Sequence, residues 1–415
     1  MISDKCLLKD NKIDIDWGMP CKPSFRQVPR LQSAGTGSSG NPVPFKKTLD
    51  SRSKDCGNDG QEVIRCFILF IFLLLVPLFA AASHLEPLKT PPVPQNNPQT
   101  PEKIELGRKL FFDRRLSGDG TMSCVTCHDP ETGFSDGLAI SLNYPTTKNW
   151  RNSPTLINIA YNESLFWDGR AKSLEEQALF PMMSAFEMNQ NLDYLEEELK
   201  GVPEYVEAFR KIFDGEITRE RIAMALAAFQ RTIISNNAPI DKYLDGDKKA
   251  LISEQKRGYD IFTGKGKCTE CHSGANFTDN KFYNLGVPEN PELVNDPRVA
   301  ATVRFTAKVS GYKEYRSLTE DPGRYLVTKD QKDWKAFKTS GLRELALTAP
   351  YMHNGVFGTI DEVIEFFNKG GGNDKNKSPL LAPLNLTNEE KHALKAFLLE
   401  ALKGKVTIVK MPVVP

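Results

Sequence analysis

The chain has 415 residues, with 54 Lys+Arg against 53 Asp+Glu and a formal charge of +1. That balance supplies no basic field to hold nucleic acid. Charged residues at 26% beside 40% apolar ones exclude a wholly disordered chain and a polytopic membrane protein. The length favours two domains over one. Only five histidines are present, His84, His128, His272, His353 and His392, so any chemistry that needs many imidazole ligands is short of them.

Residues 1–62 show no periodic apolar pattern and contain the Gly/Ser-rich run AGTGSSGNP at 34–42. They read as a disordered extension or a mis-assigned start, with translation beginning near Val63. The sixteen apolar residues 67–82 follow Arg65 and end in Ala80-Ala81-Ala82. A bilayer span needs about 20 residues, so 63–82 reads as a secretory signal cleaved near Ser83, the alternative being an uncleaved anchor. Either puts the body of the protein outside the cytoplasm, in the periplasm. Cleavage removes Cys6, Cys21, Cys56 and Cys66. Residues 83–100, with Pro91-Pro92-Val93-Pro94, read as a stiff leader outside the core.

Helical patterns begin at Pro101 and again at Ser253, and further helices are predicted over 218–236 and 387–403. Alternation typical of strands is scarce. The four cysteines that survive cleavage stand as Cys124-Val125-Thr126-Cys127-His128 and Cys268-Thr269-Glu270-Cys271-His272. Two thiols at this spacing reach the two vinyl groups of a haem, and the adjacent histidine meets the iron. A zinc site would lack a fourth ligand. The surroundings repeat as well. Glu105-Leu106-Gly107-Arg108-Lys109-Leu110-Phe111-Phe112 precedes the first pentad, and Gln255-Lys256-Arg257-Gly258-Tyr259-Asp260-Ile261-Phe262 the second. Phe134-Ser135-Asp136 and Phe277-Thr278-Asp279 follow them. The expected fold is mainly α, with two tandem cytochrome c-like haem domains and long loops, one over 101–245 and the other over 246–408.

Between the pentads stand Arg151-Asn152-Ser153-Pro154-Thr155, Phe166-Trp167-Asp168-Gly169-Arg170, Glu175-Glu176-Gln177 and Glu187-Met188. After the second comes Leu345-Ala346-Leu347-Thr348-Ala349-Pro350-Tyr351-Met352-His353-Asn354-Gly355. This ordered series resembles the bacterial di-haem cytochrome c peroxidase family, which includes the MauG group, over roughly residues 100–405. The resemblance implies that His128 is the proximal ligand of the peroxide-reacting haem and His272 that of the electron-entry haem. It makes Glu187 the distal glutamate, Gln177 its partner, and Trp167 the tryptophan between the haems. It makes Asn152, Thr348 and Pro350 the holders of a calcium ion, the last two through backbone oxygens. A carboxylate beside an open iron suits proton transfer within a bound peroxide, and an indole between two irons offers an oxidisable relay. His353 is expected near the second haem without ligating it, and His392 in solvent.

Two positions depart from the family. Where many members hold a removable histidine over the first haem, an ungapped count from Asn152 gives Tyr144, so the first iron is expected to be five-coordinate. Where peroxidases carry a methionine and MauG a tyrosine over the second haem, this chain has Phe367, which cannot donate to iron; Met352 nearby is expected to pack. The leading expectation is a periplasmic peroxidase that reduces hydrogen peroxide to water, with electrons from a cytochrome c or cupredoxin. Two alternatives stand beside it: MauG-like oxidation of a partner protein, and a non-catalytic di-haem electron shuttle.

Overall fold

The computed structural model describes residues 84–143 and 147–415; the expectations for the extension, the signal segment and Tyr144 lie outside the described residues. The first core gathers α1 (Pro101–Phe112), α2 (Leu174–Met183), α3 (Leu192–Lys200), α4 (Pro203–Phe213) and α5 (Arg219–Gln230). Helix α1 starts where proline costs no hydrogen bond, at its first position. There the Thr100 side chain accepts from Lys103 N at 3.2 Å. Ser173 and Thr218 cap α2 and α5 in the same way.

The second core gathers α6 (Pro239–Leu244), α7 (Ser253–Thr263), and two later helices. Between these lie α8 (Pro291–Val294), α9 (Pro297–Val309) and α10 (Tyr325–Thr328), which carry small apolar clusters of their own. The later helices are α11 (Ile360–Asn368) and α12 (Asn388–Ala396), the latter running into a five-residue π-helical segment, Phe397–Ala401.

The duplication seen in the sequence is physical. A Cβ added to Gly107 on α1 would lie 1.9 Å from the Ala225 carbonyl oxygen of α5, so only glycine lets these helices cross so closely. Gly258 on α7 meets the Ala393 carbonyl of α12 in the same manner, at 2.1 Å. The next aromatic layer matches: Phe111 and Phe229 have ring centroids 5.2 Å apart, as do Phe262 and Phe397. Each core carries one cysteine pentad at its edge.

Strand is confined, isolated bridges aside, to four two-residue pieces among the described residues: β1 (Ser235–Asn236), β2 (Phe282–Tyr283), β3 (Phe337–Lys338) and β4 (Lys405–Val406). Strand β1 pairs antiparallel with β4, and β2 with β3. The first pairing shortens a predicted helix. The pattern over 218–236 suggests one continuous helix, but α5 stops at Gln230. Beyond it, Thr407 N donates to Ile234 O at 2.9 Å and Thr407 Oγ1 to Thr232 O at 2.8 Å. β-Branched Thr232, Ile233 and Ile234 suit that extended pairing better than another helical turn. The rest of the tail runs back over the first core, where Arg108 Nη1 donates to Lys410 O and Arg115 Nη2 to Pro415 O, each at 2.6 Å.

The proline-rich leader also differs from its expected role as a spacer outside the core. Leu85 is buried in the second core, and Gly274 N donates to His84 O at 2.9 Å. At its other end Asn97, 1% exposed, donates to Glu175 Oε1 at 2.7 Å and accepts from Lys103 Nζ at 3.0 Å. The leader therefore touches both cores. Among the described residues no helix is long and apolar enough to cross a membrane.

Candidate functional site

Each pentad opens with a short 3₁₀ turn, Cys124–Thr126 or Cys268–Glu270, and the histidine that follows is aimed by a carbonyl. His128 Nδ1 lies 3.0 Å from Phe134 O, and His272 Nδ1 lies 2.9 Å from Phe277 O. Both phenylalanines sit in the left-handed region, at φ 55° and 54°, a conformation costly for a bulky side chain. That backbone turn swings the carbonyl toward the ring in both repeats. A carbonyl only accepts, so Nδ1 carries the proton and Nε2 remains the basic nitrogen. The thiols are not paired in disulfides, and burial pushes Cys124, Cys127 and Cys268 up to about 12 and Cys271 to about 11.

The first cavity, about 120 Å³, is lined by Cys124, Cys127, His128, Gln177, Glu187 and Trp167 together. Helix α2 supplies Gln177, and its exit loop supplies Glu187. That loop is fixed by Glu187 N donating to Ser184 O at 3.0 Å and Met188 N to Pro181 O at 3.1 Å. The half-buried Glu187 accepts at Oε1 from Asn149 Nδ2, 3.1 Å away, which leaves Oε2 unengaged. Asn149 was not singled out by the sequence; its only signal is its place just before the Arg151-Asn152 motif. Gln230 Oε1, buried and lining this cavity, has no hydrogen-bond partner among the described residues.

Trp167 lines both cavities. Its Nε1 donates to Asn152 O at 2.8 Å, and its ring meets His353 edge-on with centroids 6.5 Å apart. Below it lies a buried charge network absent from the sequence reading. Arg151 donates to Asp168 Oδ2 at 2.6 Å and to both oxygens of Asp321 at 2.6 and 2.9 Å, and Arg170 also reaches Asp168. Burial opposes ionisation of Asp168, but the guanidinium groups of Arg170 and Arg151 outweigh it and hold the carboxyl down at about 2. Asp321 is shifted the same way by Arg151 against its own burial. Arg151 and Asp168 belong to noticed motifs; Asp321, far along the chain, carries no local signal.

The second cavity, about 310 Å³, is lined by Cys268, Cys271, His272, Phe367, Met352 and His353, among others. Phe367 thus faces it with no donor atom, as expected. His353, 7% exposed, stacks on Phe337 at 3.6 Å between centroids, and burial pushes its imidazole down to about 3. It is a neutral, packed ring. His392 is exposed on α12. Asn152, Thr348 and Pro350 all line this cavity. Asn152 Nδ2 donates to Leu138 O at 2.8 Å, and among the described residues neither its Oδ1 nor the Thr348 and Pro350 carbonyls accept a hydrogen bond.

Two cavities, each with a reduced thiol pair and a histidine whose Nδ1 is already occupied, fit a covalently held haem apiece. The unpartnered Gln230 Oε1 in the first wall fits a guest with a polar group in contact with that wall. The site and the helical scaffold fit a di-haem c-type cytochrome, with the carboxylate of Glu187 in the wall of the first cavity. The chain belongs to the di-haem cytochrome c peroxidase family, whose model matches residues 101–249. It is 46% identical over 345 residues to the cytochrome-c peroxidase IdrP1 of Pseudomonas sp. strain SCT, covering 80% of this chain and 91% of that one. It is 37% identical over 326 residues to the methylamine utilization protein MauG of Methylorubrum extorquens, covering 78% and 84%. Among solved structures it is similar to a MauG-like protein associated with microbial copper homeostasis, at a TM-score of 0.65 and 30% identity, covering 77% of this chain and 94% of that one. The protein is an oxidoreductase acting on peroxide, and its family carries two c-type haems.

Proposed function

We propose that the protein is an exported, periplasmic peroxidase that reduces hydrogen peroxide to two waters at the first cavity. Two protons are consumed, with two electrons from a cytochrome c or cupredoxin that enter at the second cavity. The observation that carries this reading is the convergence of His128, Glu187, Gln177 and Trp167 on one cavity. A haem held by His128 in the first cavity and one held by His272 in the second would each supply a redox-active iron. The residues do the rest. His128 and His272 present Nε2 to the metal, fixed in tautomer by the carbonyls of Phe134 and Phe277. Glu187 takes a proton from the near peroxide oxygen at Oε2 and returns it to the departing one, while Asn149 fixes its Oε1 and Gln177 orients the substrate. Trp167 carries electrons from the second cavity to the first. Residues 101–245 and 246–408 form tandem cytochrome c-like domains. Asn152 Oδ1 and the carbonyls of Thr348 and Pro350 would hold a calcium ion, a neutral oxygen set that suits a hard cation completed by water.

A second reading, MauG-like oxidation of a partner protein, is favoured by the indole that lines both cavities and by the 37% relative. Phe367, in place of tyrosine, removes one hallmark of that chemistry. Stopped-flow mixing of the ferric protein with peroxide, then with reduced cytochrome c or candidate proteins, separates the two. In the same assay Glu187→Gln is expected to lower peroxide turnover about 10²–10⁴-fold with both haems retained. Unchanged turnover would leave only an electron shuttle.

A further inference from the structure

Three lysines line the second cavity, and they differ in what they face. Lys267 is exposed beside Cys268. Lys335 is paired with Glu320 at 2.9 Å, with Glu289 and Asp374 within 3.8 Å. Lys338 is half-buried on β3, and its Nζ takes part in no hydrogen bond or ion pair among the described residues. Burial alone acts on it, pushing the amine down to about 8. A lysine turned into a cavity with no anion in the protein is a costly arrangement unless a guest supplies the negative charge.

The backbone says where that charge lies. Lys338 N donates to Trp167 O at 2.8 Å. One residue on, Thr339 N donates to Lys281 O at 2.8 Å and Thr339 O accepts from Thr278 Oγ1 at 2.6 Å. Thr278 follows Phe277, whose carbonyl aims His272. The strand is therefore stitched both to the indole and to the loop that orients the metal-facing histidine. Lys338 therefore enters the cavity between the indole and the loop that aims His272. The only anionic groups on a haem rim are its propionates.

We propose that the Lys338 ammonium is the counter-ion of a propionate on the second haem, holding that edge against Trp167 and favouring the reduced state of its iron. The inference rests on the reading of the cavity as a haem site. A cation beside the porphyrin stabilises the ferrous form, which carries one positive charge fewer. Lys338 is a positioning residue and touches no reacting atom.

The test is optical redox titration of the holoprotein with Lys338→Met, Lys338→Gln and Lys338→Arg, haem content being measured as pyridine haemochrome. Both neutral variants are expected to keep two haems and to lower the midpoint potential of the second haem alone, while the arginine variant retains it. An unchanged midpoint with two haems present overturns the inference. So does a change in the spin state of the second iron, which would make the amine an axial ligand. Should neutral variants fail to mature, the propionate-bending mode in the resonance Raman spectrum decides between wild type and Lys338→Arg. A band that shifts with this exchange supports the pair, and an identical band overturns it. Absence of peroxide turnover in the wild-type holoprotein, with the midpoint of the variants moved as expected, would count against the peroxidase reading and leave this one standing.

Discussion

The indole nitrogen of Trp167 donates to the carbonyl oxygen of Asn152 across 2.8 Å, and both residues line both cavities. This bond fixes the ring plane in the partition between the two centres. Trp167→Phe keeps an aromatic ring of smaller volume and leaves the Asn152 carbonyl unpaired, at a cost of about 1–3 kcal/mol. Turnover with an external reductant is expected to fall while peroxide still reacts at the first centre, as single-turnover absorbance traces would report. Unaltered steady-state turnover would remove the indole from the electron route.

Asp168 should reveal itself through acid titration. Its carboxyl is held at about 2 in the folded protein, against an ordinary unfolded value near 3.9. A depressed carboxyl contributes stability that is complete above the unfolded value and is lost as the pH falls toward the folded one. Asp168→Asn leaves Arg170 and part of Arg151 without a partner, a loss of about 3 kcal/mol for a buried pair. The melting-temperature gap between variant and wild type should be widest at neutral pH and narrow between about pH 4 and 2. A gap that stays constant through that window would contradict the assignment.

Gly258→Ala sets two effects against each other. Alanine favours a helix by about 1 kcal/mol over glycine. Its Cβ would lie 2.1 Å from Ala393 O and 2.6 Å from Phe397 Cβ, and overpacking of this kind costs about 1–3 kcal/mol or more. The clash with backbone should win, lowering the melting temperature and loosening the second haem. Gly107→Ala should do the same to the first.

Calcium removal gives a further check. Three neutral oxygens without a carboxylate make a weak site, of about 10⁻⁴–10⁻³ M. Dialysis against a chelator is expected to reduce turnover reversibly, with recovery on adding Ca²⁺. Asn152→Ala should abolish that recovery; titration calorimetry on the two proteins would measure the difference.

Much of this site was legible in the chain because its chemistry is local. A thiol pair with its histidine is fixed by spacing, and so is the carbonyl that aims the ring, five or six residues later in each repeat. Gly107 and Gly258 stood in the repeated segments, but the carbonyls they meet belong to helices more than a hundred residues away. Asp321 and Lys338 carry no local signal, and Asn149 only its place before the Arg151-Asn152 motif, since a charge or an amide declares a role only beside its partner. The leader was misjudged because proline content speaks to stiffness and says nothing of where Leu85 and Asn97 dock. The helix over 218–236 was drawn too long because its competitor, β4, lies at the far end of the chain.

That far end sets an order of assembly. Strand β1 has no partner until Lys405–Val406 docks, and Arg108 and Arg115 wait for Lys410 and Pro415. Contacts so distant along the chain form late. The first core is therefore complete only when residues 405–415 have docked against it.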